Sequence, residues 1–258
     1  MPHSSVAAGV AHGCRELTQY AEFREAAALY ARVFAYTENE YALNANLLTA
    51  LARNGGSAVG AFADDGTLIG FAYGFAGCDT AGASFHYSQA AAVDAAHQGR
   101  GVGQALKFAQ RAVALRWGQR TMRWTFDPLL SRNAHFNLSS LGAVGIAYER
   151  DYYARPDTDR LVVSWDLDAA DHPTRRTLPV PPELGPDDWG RAVAADGGAW
   201  IAIPTRPGEL DAEDRAVLRR DLERTMTAAF RRGDVLVGAV RLDDDTAVYR
   251  ATPGEGTA

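Results

Sequence analysis

Apolar positions along the chain fall into two rhythms, one of helical period and one of strand period. Phe23, Ala27, Leu29, Tyr30 and Phe34 repeat at helical spacing and predict a helix over residues 20–34. Leu43, Leu47, Leu48 and Leu51 predict a second over 40–53, stopped by Asn54-Gly55-Gly56. Residues 58–63 and 68–73 read as strands joined by the turn Asp64-Asp65-Gly66, and residues 85–93 as a further strand. A short strand over 15–17 could open the fold. Leu106, Ala109, Val113 and Leu115 predict a helix over 104–117. Strands follow at 122–126, 144–148 and 161–165, with a short helix at 132–141.

The five prolines Pro173, Pro179, Pro181, Pro182 and Pro186 then predict an extended linker over 172–190. Beyond it, 200–203 reads as a strand. Leu218, Leu222, Met226 and Phe230 define a long helix over 211–232, with Asp211 as N-cap and Gly233 as C-cap. Residues 235–240 and 247–249 could close the unit as a hairpin. This order predicts an α/β fold of mixed type. The expected domains are 14–168 and a small C-terminal β-α-β-β unit at 191–250.

Composition narrows the function. The 258 residues are 47% hydrophobic and 22% charged, with net charge −6. An acidic chain argues against nucleic-acid or anionic-membrane partners, which favour basic patches. Cys14 and Cys78 have no metal-type spacing, so two reduced thiols and no metal are expected. Residues 1–12 lack a charged segment followed by an apolar run, and no stretch approaches a membrane span. A cytoplasmic protein is expected. Lys107 is the only lysine among 26 basic residues, and alanine is abundant, which fits a GC-rich bacterial genome.

The candidate chemistry lies in Val93-Asp94-Ala95-Ala96-His97-Gln98-Gly99-Arg100-Gly101-Val102-Gly103. An apolar strand enters a glycine-dense turn that opens directly into a helix. Glycines let the backbone approach a ligand, and successive N–H groups form an anion nest. The helix N-terminus adds partial positive charge. A pyrophosphate is the natural guest, with Arg100 and Lys107 as candidate nearby cations. The glycine spacing is wrong for a dinucleotide fingerprint, and no Walker-type lysine motif is present.

Gln98-x-x-Gly101-x-Gly103 resembles the acetyl-CoA motif of the GNAT superfamily of N-acetyltransferases. The resemblance runs over residues 14–166 and implies a central, mixed, mostly antiparallel sheet flanked by helices. It also implies a coenzyme site at Gln98, Gly99, Arg100, Gly101, Val102 and Gly103, with the Val93 backbone meeting the pantetheine arm. Trp124-Thr125-Phe126-Asp127-Pro128-Leu129, Arg132-Asn133-Ala134, Phe136-Asn137-Leu138 and Leu141-Gly142-Ala143 are similar to an uncharacterised bacterial subgroup with an added C-terminal strand–helix–strand piece. Asn133 and Asn137 are candidate coenzyme contacts. A homodimer is suggested by the superfamily alone.

An amine acceptor must shed a proton before it attacks a thioester. The family's usual tyrosine acid would fall at Leu138, so the acid–base groups must lie elsewhere. Period two along 85–93 would put Tyr87, Gln89, Ala91 and Val93 on one face, with His86 and Ser88 opposite. Tyr87 and Gln89 are then candidates near the acyl group, and His86 is a structural histidine. Asp127 could bind an amine, act as base, or cap the following turn. Glu40, Trp124 and Phe126 are candidates for the acceptor pocket. The expected activity is transfer of an acetyl group from acetyl-CoA to a small amine, such as an amino-acid-like amine or hydrazine of secondary metabolism. A non-catalytic acyl-CoA-binding module and an enzyme using a longer acyl chain are the alternatives.

Overall fold

The computed structural model describes residues 13–37, 42–168 and 176–254. The chain is a mixed α/β protein with mostly antiparallel strands, flanking helices, and further strands and a helix toward the C-terminus. It divides into two compact units, residues 1–122 and 123–258.

In the first unit, strands β1 (Gly13–Glu16), β2 (Ser57–Phe62), β3 (Leu68–Cys78) and β4 (Ser84–Val93) pair antiparallel in chain order. Alternate residues of β2 and β3 face opposite layers. Ala58, Phe71 and Tyr73 pack with Phe23, Ala26 and Leu29 of α1 (Tyr20–Val33) and Leu48 of α2 (Ala45–Arg53). Val59, Ala61 and Ala72 pack with Val102, Leu106 and Val113 of α3 (Val102–Arg116). With both faces covered, residues 68–74 of β3 are buried without a break. That continuous apolar run is what a strand sandwiched between helix layers requires.

The second helix is shorter than the spacing suggests. Asn44 caps α2 by accepting from the backbone N–H of Asn46 and Leu47, so the helix begins at Ala45. Leu43 lies ahead of this start and still packs against the α1–α2 cluster.

In the second unit the strand order is β5 (Thr121–Phe126), β7 (Arg160–Asp166), β6 (Val144–Glu149), β10 (Asp234–Arg241), β11 (Thr246–Pro253), β9 (Gly198–Pro204), β8 (Ala192–Ala195). Leu236 of β10 pairs with Gly145 of β6, which joins the C-terminal strands to those before residue 168. Helix α5 (Ala212–Arg231) starts at Asp211, whose carboxylate accepts from Asp214 N, and buries Leu218, Leu222, Met226 and Ala229. The four-residue strand β8 escapes the hydrophobic pattern because Ala-Val-Ala-Ala has neither alternation nor length. The described part of the proline-rich stretch has no helix or strand before a 3-10 turn at Pro186–Asp188, and its Leu178 and Leu184 pack on Trp200, Ala202 and Val248.

The expected helix over 132–141 appears as one short α turn, α4 (Ser131–Ala134), continued by a π-helical turn (His135–Ser140). The wider turn is secured at Ser139, whose hydroxyl bonds both backbone groups of Ala239. No described helix is long and apolar enough to cross a membrane.

Candidate active site

The glycine-rich loop is built as its sequence requires. Asp94 ends β4, and its carboxylate accepts from Ala96 N at 3.0 Å, starting a single 3-10 turn over Ala95–His97. Gln98 folds back so that Nε2 donates to the Val93 carbonyl at 3.2 Å. Gly99 and Gly101 then take left-handed φ values of 74° and 83°, a conformation that strains any residue with a Cβ. A Cβ at either glycine would meet nothing within 4 Å, so the space over the loop is open.

Gly101 is the N-cap of α3, and no side chain caps that end. The first intrahelical bond runs from Ala105 N to Gly101 O at 3.0 Å. The N–H groups of Val102, Gly103 and Gln104 precede it and have no partner four residues back. The first turn of α3 contains no acidic residue. A 15-residue helix thus points an unneutralised positive end at open space beside two left-handed glycines, and that arrangement suits a phosphate group. Arg100 is exposed within the loop.

Lys107 is not at this site, contrary to expectation. It is 4% exposed and turned into the first unit, where Nζ donates to Ser88 Oγ at 2.8 Å. Burial lowers its pKa to about 7.

This bond belongs to a buried chain whose direction is fixed at the Gln119 end. Lys107 Nζ donates to Ser88 Oγ, and the Ser88 hydroxyl in turn donates to Gln110 Oε1 at 2.8 Å. Gln110 Nε2 donates to Ser57 Oγ at 3.1 Å, and Ser57 stands 2.8 Å from His86 Nε2. At the other end Gln119 Nε2 donates to the Gly55 carbonyl at 2.8 Å, which leaves Gln119 Oε1 to accept from His86 Nδ1 at 2.7 Å. His86 is therefore neutral with its proton on Nδ1. Burial, the largest influence, holds its pKa at about 4. The reading of His86 as a structural, hydrogen-bonded histidine matches this geometry.

The expected alternation along β4 fails at one point. Tyr73 pairs with Ala90 and Gly74 with Ser88, so Gln89 is a β-bulge outside the β3 ladder. The bulge reverses the faces. His86 and Ser88 lie on the same side as Ala91 and Val93, facing α3, and Tyr87 lies with Ala90 on the side of α1. Tyr87 is half-buried, with its ring 5.2 Å from that of Phe75. Gly74 opposite the bulge admits no side chain, because a Cβ there would collide with the Tyr87 carbonyl and His86 Nε2.

The remaining candidates belong to the second unit. Asp127 follows β5; its Oδ1 accepts from Leu129 N at 2.9 Å, and its Oδ2 lies 3.1 Å from Arg219 Nη2. Trp124 and Phe126 are both buried, with Trp124 edge-on to Trp165. Asn137 is buried and accepts from the Trp124 indole at 3.0 Å. Asn133 is half-buried in α4. Glu40 lies outside the described residues. Among the described residues no group of three or more His, Cys, Asp or Glu could hold a metal ion.

No protein-family model and no curated protein matches the chain. Solved structures do. A GNAT superfamily phosphinothricin acetyltransferase from Sinorhizobium meliloti, in complex with acetyl-CoA, superposes with a TM-score of 0.50 at 18% identity, over 65% of this chain and 100% of that one. The protein yncA from Salmonella typhimurium, with its cofactor acetyl-CoA, gives 0.49 at 18% identity, over 64% and 98%. Ard1 from Thermoplasma volcanium gives 0.47 at 19% identity, over 61% and 98%. The likeness to the first of these is one of fold, that of a GNAT superfamily acetyltransferase.

Proposed function

We propose that the protein is an acetyl-CoA-dependent N-acetyltransferase acting on a small-molecule amine. One observation carries the reading. The α3 N-terminus is uncapped by any side chain, free of acidic residues in its first turn, and preceded by left-handed Gly99 and Gly101 under open space. The coenzyme pyrophosphate would sit on the N–H groups of Val102, Gly103 and Gln104, with Arg100 supplying charge from the loop. The acyl-CoA-binding domain in this reading spans 14–168, and 191–250 is an addition to it.

The reaction is direct attack of a neutral amine on the thioester carbon. The C–N bond forms, the C–S bond breaks, and a proton from the amine accompanies the departing thiolate. An alkylammonium acceptor with a pKa of about 10.4 must first be deprotonated, at roughly 4–5 kcal/mol at pH 7. An amine or hydrazine of lower pKa lessens this demand. Holding the two reactants in register supplies much of the remaining rate, and backbone donors at the carbonyl add to it. A panel of amines assayed for release of the CoA thiol tests the reading. Turnover on weakly basic acceptors supports it, and turnover only on strongly basic alkylamines contradicts the assignment of a low-pKa nitrogen.

A second reading, an acyl-CoA-binding module without catalysis, has its own support. Leu138 replaces the family's tyrosine acid, and the Asp127 carboxylate is engaged by Arg219 and the Leu129 N–H. Single-turnover consumption of acetyl-CoA in the presence of the amine panel separates the two readings.

A further inference from the structure

Helix α3 has two features close to the glycine loop. Its N-terminus closes the glycine loop, and its second turn holds β4 through Lys107 and Ser88. Lys107 lies five residues beyond Val102, about 7.5 Å along the axis. Ser88 directly precedes the bulged Gln89, so the bond grips β4 where the strand leaves the β3 ladder. Gln110, one turn further along α3, grips the same hydroxyl. On the far side of the bulge no such polar grip is needed, since Ala92 is buried and Ala90 packs among the apolar side chains of α1, α2 and β3.

A lysine is a poor choice for packing alone. A buried cation loses its hydration, and an apolar residue of similar volume commonly gives equal or greater stability. Its long stem and terminal donor do what an apolar residue cannot: they reach from the helix to the strand hydroxyl. Arginine, the cation used everywhere else in this chain, is larger and stays charged when buried.

We propose that Lys107 is a positioning residue for the acetyl-CoA site. By holding Ser88 it fixes the β4 backbone at Gln89 relative to the α3 N-terminus, so that strand and loop meet the coenzyme as one seat. This rests on the coenzyme reading given above. The network supports the role, because His86, Ser57 and Gln110 brace the same stretch of strand from the α3 side.

The test compares wild type with Lys107→Met, which keeps the volume and removes the donor, and Lys107→Gln, which restores a donor. Acetyl-CoA affinity is measured by calorimetry, and amide exchange is followed over residues 84–93 in the unliganded protein. Lys107→Met is expected to fold and to weaken acetyl-CoA binding about ten-fold, the scale of one lost charge-assisted hydrogen bond. Exchange should accelerate over 84–93 and not over 57–62. Lys107→Gln should recover most of both. A packing role alone would shift the thermal midpoint and leave affinity unchanged. Wild-type affinity in Lys107→Met, or unaltered exchange over 84–93, overturns the proposal while the coenzyme reading stands. If wild type itself binds no acetyl-CoA, the coenzyme reading fails and this proposal falls with it.

Discussion

Ser57 donates to His86: its Oγ lies 2.8 Å from Nε2, while His86 Nδ1 lies 2.7 Å from Gln119 Oε1. Both ring nitrogens are thus committed, and protonating Nε2 would set two donors against each other. The folded-state pKa of about 4 lies below the ordinary 6.5, with burial as the main cause. Between these values the unfolded chain binds more protons, so acid favours unfolding. The contribution of His86 to stability should be complete above about pH 6.5 and should fall as pH drops toward 4. Nitrogen NMR of the imidazole should show the Nδ1–H tautomer persisting at about pH 5.5; an imidazolium at that pH would contradict the chain.

Lys107 gives the complementary effect at alkaline pH. Its pKa falls from the ordinary 10.5 to about 7 in the folded protein, through burial. Across that window the unfolded state holds the extra proton, so stability should rise with pH. Denaturant unfolding of wild type should yield a larger free energy at about pH 9.5 than at pH 7. Lys107→Met should flatten this rise. Equal pH slopes in the two proteins would show that Lys107 is not the group responsible.

These two residues also show what a sequence hides. Helix α3 was legible from Leu106, Ala109 and Val113, which pack together on its buried face. The loop was legible from its glycines, because only left-handed turns demand them at Gly99 and Gly101. The bulge at Gln89 was not legible, since Ala90, Ala91 and Ala92 erase the contrast on which alternation depends. Gly74 opposite the bulge is no signal by itself, since Gly70 lies in the same buried run and pairs regularly with Val93. The burial of Lys107 had a trace: a single lysine in an arginine-rich chain, beside buried Leu106. The polar chain itself joins residues up to 64 positions apart, and local pattern carries no information at that range.

Asp127 and Arg219 form a partly buried pair, with 23% and 12% side-chain exposure. Asp127→Asn leaves Arg219 without its carboxylate and should cost about 1–3 kcal/mol. Arg219→Met removes the charge from the other side and should cost less, because the Asp127 carboxylate keeps its bond from Leu129 N. Thermal and denaturant unfolding of the two variants check the order. If Asp127→Asn is as stable as wild type yet loses turnover, Asp127 serves the acceptor and not the fold.

The central claim is that the α3 N-terminus and its glycine loop bind acetyl-CoA. The most direct test is a thermal-shift titration of wild type and Gly101→Trp with acetyl-CoA, CoA and NADH. The substitution places a large side chain in the open space and strains a left-handed position, at about 1–2 kcal/mol, so the variant should still fold. A ligand that binds only the native state raises the midpoint. The account predicts that acetyl-CoA and CoA stabilise wild type and not Gly101→Trp, and that NADH stabilises neither. A folded wild type that responds to no CoA species, or a variant that responds as wild type does, would contradict it.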